Sequence, residues 1–309
     1  MDLHLKYRPR EFADVIGQDS AVSTLEKLLE KNTLPHALMF VGPSGCGKTT
    51  LARIVARKVG CHKNDLQEKN CAIDRGIELV REIRKCLMLK PIAGDCRVYI
   101  LDECHQLTEP SQQSLLKMLE EAPSHVYFCL ATTDPHDLLS TIRTRCTDIR
   151  VASLADHKME ELLQAVCRRA KLDVPEAVLG RIVSTVDGSP RKALVVLQQI
   201  AHLESEEIQL QAVEDQDYRE DGIKVARALF DPSTDWKKMS TILKALKPKT
   251  DAEGLRYLVL GYANTVMLNS GKFRAFEVIE AFHQPLYSSK LPGFNAVCYE
   301  LVALKKKGK

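Results

Sequence analysis

Residues 42–49 read GPSGCGKT, and this octapeptide constrains the chain more than any other stretch. Gly42, Gly47, Lys48 and Thr49 stand where a phosphate-cradling loop needs them. The glycines let the backbone turn with its N–H groups facing inward, Lys48 can reach the outer phosphates, and the Thr49 hydroxyl can ligate magnesium. Pro43, Ser44, Gly45 and Cys46 complete the loop, and Thr50 belongs with the helical pattern after it. Before the loop runs the apolar stretch Ala37 to Val41, and beyond it Leu51, Ile54, Val55 and Val59 recur at helical spacing. Strand, loop and helix in that order aim a helix N-terminus at an anion, which a plain glycine turn in an α/β protein would not require.

A chain of 309 residues, 45% hydrophobic, can bury a large core and divides into two or three domains. With 28% charged residues and a net charge of +3, its bulk is not basic, so contact with nucleic acid has to come from a local patch. No run approaches the roughly 18 apolar residues of a membrane span, and MDLHLKYRPR lacks the apolar centre of a signal peptide. A soluble, cytoplasmic protein is expected. The ten cysteines are scattered through apparent strands and helices, as with Cys96, Cys104, Cys129 and Cys167, which fits a reducing compartment better than a disulfide framework. Cys61, His62 and Cys71 come nearest to a metal cluster, yet no CxxC pair exists, and free thiols are the expectation. Cys46 reads as a small side chain at a variable loop position, with an oxidation-sensitive thiol as the alternative.

The first half alternates short apolar runs with helical patterns, the signature of a parallel sheet covered by helices. After the loop helix come a short strand near Leu66, a helix over 77–89, a strand over 98–101, a helix over 111–121 and strands over 126–131 and 149–151. Beyond Ser153 strand signals stop. Helical patterns at 156–170, 175–186 and 190–203 predict a small helical domain. Those at 221–230, 236–246, 252–268, 273–282 and 295–304 predict a third, all-helical one. The expected domains are therefore 1–152, 153–213 and 214–309. The basic tail, Lys305, Lys306, Lys307 and Lys309, reads as solvated.

The apolar run 98–101 ends in Asp102 and Glu103, which places two carboxylates at the sheet edge where the glycine loop also opens. Asp102 can hold a magnesium shell, and Glu103 can orient and activate a water. The next strand ends in Thr132, Thr133 and Asp134. Thr133 is placed to hydrogen-bond that water or sense phosphate loss, against the plainer reading of a threonine-rich turn. Arg145, twelve residues on, is either a surface ion-pairing residue or a finger toward a neighbour's phosphate. Ser189 suits an N-cap and Pro190 the first helical turn, so Arg191 opposes the helix dipole unless an anion sits there.

Together these residues resemble the AAA+ ATPase subunits of DNA polymerase clamp loaders. KYRPREFADVIGQ (6–18) is similar to the family's adenine-side segment, GPSGCGKT to its Walker A, VYILDECH (98–105) to its Walker B and ATTDP (131–135) to its sensor 1. TRC (144–146) resembles its SRC finger motif and GSPRKAL (188–194) its sensor 2. The resemblance is specific to about residue 205 and architectural beyond. It mixes two branches: LLKMLEEAP and LATTDP look like the bacterial gamma/tau subunit, NCAIDRGIELVREI (70–83) like the replication factor C small subunit, and the bacterial zinc-module spacing is absent.

This resemblance implies a helical lid and a helical collar after the α/β P-loop NTPase domain. It also implies ATP and Mg2+ as cofactors and a pentameric ring, homo- or hetero-oligomeric, that opens a sliding clamp and grips primer-template DNA. Tyr7, Arg8, Pro9, Val15 and Ile16 would bind the adenine side, with Lys48, Thr133 and Arg191 at the phosphates. Thr49 and Asp102 would hold magnesium, Glu103 would act as base, and Arg145 would complete a neighbour's site. Both Lys48 and Glu103 are retained, as in a motor subunit.

Over 77–87 the apolar Ile77, Val80, Ile83 and Leu87 share a helix face, while Arg81, Arg84 and Lys85 fall on the other, extended by Arg75 and Lys90. By itself that is a solvated face; in a clamp-loader subunit it resembles one that faces the DNA chamber, read by backbone and shape rather than by base. Two other readings compete. A different AAA+ DNA motor, a branch-migration helicase or an initiator or helicase loader, would need pore loops or a DNA-binding C-terminal domain, and neither is visible. A noncatalytic ATP-binding scaffold would need neither Glu103 nor Arg145.

Overall fold

The computed structural model describes residues 2–246 and 251–304, so the basic tail read from the sequence lies outside the described residues. In chain order the helices are α1 (Leu3–Lys6), α2 (Asp19–Glu30), α3 (Lys48–Lys58), α4 (Ile77–Leu87), α5 (Glu109–Glu120), α6 (Ser140–Arg143) and α7 (Asp156–Ala170). They continue as α8 (Glu176–Val183), α9 (Pro190–Ile200), α10 (Glu206–Phe230), α11 (Trp236–Ala245), α12 (Ala252–Ser270), α13 (Phe273–Ala281) and α14 (Lys290–Leu304). The strands are β1 (Ala37–Val41), β2 (Cys61–Asn70), β3 (Cys96–Asp102), β4 (Val126–Thr132) and β5 (Thr147–Arg150).

The strands form one five-stranded sheet in the order β2-β3-β4-β1-β5, with every pairing parallel. Buried on both faces, β1, β3 and β4 carry near-continuous apolar runs. Successive residues still feed opposite cores. Leu38, Phe40, Val98 and Ile100 pack with Leu25, Leu51 and Ile54. Met39, Tyr99, Leu101, Phe128 and Leu130 pack with Val80, Ile83 and Leu115. Because all strands run the same way, the ends of β1, β3 and β4 open at one edge, and that edge carries the candidate site residues.

Strand β2 is longer than the short element read at Leu66. Its sequence, CHKNDLQEKN, is polar because β2 lies at the sheet edge, and Asp65 is its one fully buried residue.

The chain forms two compact units, Met1–Glu206 and Glu207–Lys309. Helices α7 to α9 belong to the first, built on Met159, Leu163, Val178, Ile182, Ala193 and Leu197. The second is helical throughout, around a core of Leu229, Met239, Leu255, Val259, Phe282 and Phe294. The contact boundary falls at the start of α10, earlier than the division expected at 213/214. The first turns of that helix, EEIQLQAVEDQD, are so acidic and polar that sequence alone reads them as a connection.

Candidate nucleotide-binding site

The glycine loop is fixed to the sheet at its first residue and to a helix at its last. Gly42 N–H donates to Thr132 O (3.2 Å), and a Cβ on Gly42 would stand 1.9 Å from Val151 O, so no other residue fits that approach. Gly47 caps α3 at φ +110°, a left-handed backbone reserved for glycine. Lys48 then opens α3, 5% exposed, with Nζ donating to Gly42 O (2.8 Å) and Pro43 O (2.9 Å). An ammonium has three donors, and one is left over for an anion. Burial lowers the Lys48 pKa, while Glu103 and Asp102 pull it back up.

The Thr49 hydroxyl donates to Asp102 Oδ2 (2.8 Å), and Asp102 Oδ1 accepts the Glu103 N–H (3.1 Å). A hydroxyl and a carboxylate side by side are hard oxygen donors of the kind Mg2+ takes, so the residues fit that ion. Glu103 itself turns at φ +51°, where β3 ends.

From the other side comes α9. Ser189 caps it, accepting the Lys192 N–H (3.5 Å), and donates through its hydroxyl to Ser44 O (3.4 Å), while Arg191 N–H reaches Gly45 O (3.4 Å). The helix N-terminus and Arg191 thus sit directly against the loop.

One cavity joins these parts. It is lined by Tyr7, Arg8, Pro9, Val15 and Ile16, by Ser44, Gly45, Cys46, Gly47, Lys48, Thr49 and Thr50, and by Asp102, Glu103 and Arg191. It adds residues the sequence reading missed: His4, Asp14 and Gln18 before the loop, Leu162 from α7 and Leu194 from α9. Gln18 is the most informative, because its Nε2 donates to Ala152 O (2.7 Å) and Cys46 O (3.4 Å) while its Oε1 accepts Ala152 N–H (3.1 Å). Its place at the end of the DVIGQ run was the available signal. The two leucines come from the helical patterns 156–170 and 190–203, which the sequence assigns to a separate domain. Arg8 faces Arg53 and Arg191 as well as Glu68 and Asp102, and burial first and these cations second lower its pKa.

Of the expected residues, Gly42 and Pro43 at the start of the loop do not line the cavity, and Thr133 and Arg145 stand apart from it. Thr133 donates from Oγ1 to Asp134 Oδ2 (2.6 Å), and the buried neighbour Thr132 is the one that meets a polar side chain from the β3 side, with Oγ1 3.0 Å from His105 Nδ1. Arg145 is ion-paired with Glu120 and donates to Thr141 O (3.0 Å). Cys46 is buried, with its thiol toward Ser44 O and Gly188 O at 3.7 Å, and burial raises its pKa away from reactive thiolate. Among the described residues no group of three or more His, Cys, Asp or Glu could hold a metal ion, Cys61, His62 and Cys71 included. None of the described helices is long and apolar enough to cross a membrane.

On α4, Leu79, Val80, Ile83 and Leu87 are buried, Ile77 is half-buried, and Arg81, Arg84 and Lys85 are exposed together with Glu78 and Glu82. Lys69 pairs with Glu82 (3.3 Å). Arg75 is exposed just before the helix, with Nε on Ala72 O (3.0 Å).

The family described as DNA polymerase III, delta subunit, matches residues 17–78 and 67–155. DNA polymerase III subunit gamma/tau of Mycobacterium bovis is 34% identical over 223 residues, 65% of this chain and 39% of that protein. DNA polymerase III subunit gamma of Buchnera aphidicola is 32% identical over 232 residues, 68% of this chain and 64% of that protein. The structure is also similar to the Thermotoga maritima RuvB Holliday junction branch migration motor, with a TM-score of 0.60 over 78% of this chain and 86% of that one. The chain has an AAA+ fold and is similar in sequence to these DNA polymerase III subunits. At 18% identity the RuvB likeness speaks for the AAA+ fold alone. The chain spans about a third to two fifths (31–39%) of the length of the gamma/tau proteins it matches.

Proposed function

We propose that this AAA+ protein is an ATPase motor subunit of a sliding-clamp loader. ATP binding would open the clamp and grip primer-template DNA, and hydrolysis would release the clamp on DNA. What carries the reading is that Lys48, Thr49, Asp102, Glu103 and Arg191 meet at one cavity while Arg145 stands outside it. A site with its cradle, its acid and its lid cation in one chain, and its finger elsewhere, is one that a neighbouring subunit completes.

In that site the N–H groups of the loop and the remaining Lys48 donor hold the phosphates. Thr49 and Asp102 hold Mg2+, which neutralises phosphate charge when bound. Glu103 takes the proton of the attacking water, and Arg191 follows the terminal phosphate and carries its presence or loss into α9. Arg145 of an adjacent subunit stabilises the charge that develops on the transferred group. The helical unit 207–309 would be the collar of a pentameric ring, and its exposed Leu268, Phe273 and Phe276 are suited to subunit packing. Met88, Leu89 and Ile92, exposed just after α4, offer an apolar contact for the clamp. A reducing, cytoplasmic location accords with ten cysteines, none of them in a disulfide.

Arg75, Arg81, Arg84 and Lys85 would grip the phosphate backbone of DNA. Replacing Arg81, Arg84 and Lys85 by alanine should abolish stimulation of ATP turnover by primed DNA, spare basal turnover, and flatten the salt dependence of DNA binding by about one unit of slope per lost phosphate contact. Stimulation that survives the triple replacement would make the face a solvated surface and return the alternative AAA+ motors to the foreground.

A further inference from the structure

His105 follows Glu103 by two residues, in the short turn Cys104–Gln106 that leaves β3. Its side chain is 8% exposed. Nδ1 lies 3.0 Å from Thr132 Oγ1 and 3.6 Å from Glu103 Oε2, and Nε2 lies 3.9 Å from Asp134 Oδ2. Thr132 is fully buried at the last position of β4, and its Oγ1 also accepts the Asp134 N–H (3.1 Å). One imidazole therefore stands between the carboxylate that ends one strand and the hydroxyl that ends the next.

Glu103 has no other anchor of this kind. Among the described residues no hydrogen bond and no other ion pair reaches its carboxylate, and its left-handed backbone (φ +51°) fixes only where the side chain begins. A glutamate with three rotatable bonds loses rate whenever its carboxylate wanders from the water it must meet. We propose that His105 is a positioning residue that ties the Glu103 carboxylate to Thr132, so that the end of β4 sets where the carboxylate meets the attacking water. The proposal rests on Glu103 being the water-activating group. It also gives Thr132, rather than Thr133, the part of the β4 terminus that speaks to β3.

The test uses the full chain in the assembly that turns over ATP. His105→Ala should lower kcat on the order of tenfold to a hundredfold with KM for ATP unchanged, as expected when a reacting group is misplaced and binding is not. His105→Asn, whose amide reaches near the position of Nδ1, should recover most of that loss. Thr132→Val should resemble His105→Ala, and the double variant should be no slower than the slower single one, because both break one link. An unchanged kcat, a loss that Asn does not repair, or additive losses overturns the proposal.

A second measurement does not depend on turnover. The ring 15N signals of His105, assigned by their disappearance in His105→Asn, should shift in both Glu103→Gln and Thr132→Val; signals indifferent to both sink the link. If Glu103→Gln turns over as fast as the parent chain, the hydrolysis reading of Glu103 falls. If Glu103→Gln is slow and His105→Ala is not, only the His105 proposal falls.

Discussion

Two aspartates on neighbouring strands are used in opposite ways. Asp65, 0% exposed on β2, accepts the N–H groups of Ile92 (2.6 Å), Ala93 (2.9 Å) and Gly94 (3.0 Å) and faces Arg97 (3.6 Å). Asp102, at the end of β3, accepts one hydroxyl and one neighbouring N–H and otherwise faces the cavity it shares with Lys48 and Arg191. The basic residues divide likewise. Arg97 is buried and directs its two terminal nitrogens to the carbonyls of Cys86 and Lys90, leaving only Nε without a partner, whereas Arg191 brings its charge to the cavity. A charge answered almost entirely inside the protein holds the fold, and one answered in part at a cavity is available to a ligand.

The comparison can be broken from either side, and the largest effect belongs to the residue outside the cavity. Arg145→Ala should cost about 10³-fold or more in turnover with ATP affinity retained, and mixing it with Lys48→Ala subunits should restore part of the activity. A mixture as inactive as its components would deny a finger that acts between subunits. Glu103→Gln should lower turnover by about 10²- to 10⁴-fold and still bind ATP in an equilibrium binding assay. Turnover close to that of the parent chain would remove Glu103 as the base.

The smallest effect on chemistry, and the clearest on stability, belongs to Asp65. Asp65→Asn leaves N–H donors without an acceptor and should lower unfolding free energy by about 1–3 kcal/mol with ATP turnover intact. Burial alone would raise the Asp65 pKa, but the three N–H groups and Arg97 outweigh it and hold the carboxylate below its ordinary value. Its contribution is therefore present above the unfolded-state value of about 3.9 and is lost as pH falls through the lower folded-state value. Urea unfolding followed across that acid range should show a shallower pH dependence for Asp65→Asn. Slower turnover with undiminished stability would mean that the two aspartates are not so cleanly divided.

What could be read from the sequence was whatever local spacing dictates. GPSGCGKT, the Asp102–Glu103 pair, the cap and cation at Ser189–Arg191 and the two faces of α4 arise from periods and turn chemistry that need no partner. What could not be read depended on long-range packing. Adjacent threonines at 132 and 133 differ only in which way β4 presents them, and the pleat buries Thr132 against His105. Leu162 and Leu194 join the cavity only because α7 and α9 fold back over it. β2 hid its length because an edge strand can be polar, and α10 hid its start for the same compositional reason.

Glu103 is held at φ +51° and ψ +42°, a backbone that a glutamate enters at a cost of about 1–2 kcal/mol and a glycine does not. Sequence optimisation for thermal endurance alone would therefore favour glycine or asparagine at position 103, and with Glu103 as the proposed base the resulting chain would be sturdier and inert. The site thus contains a local conflict between durability and work, and the acidic side chain marks the side on which the protein has come down.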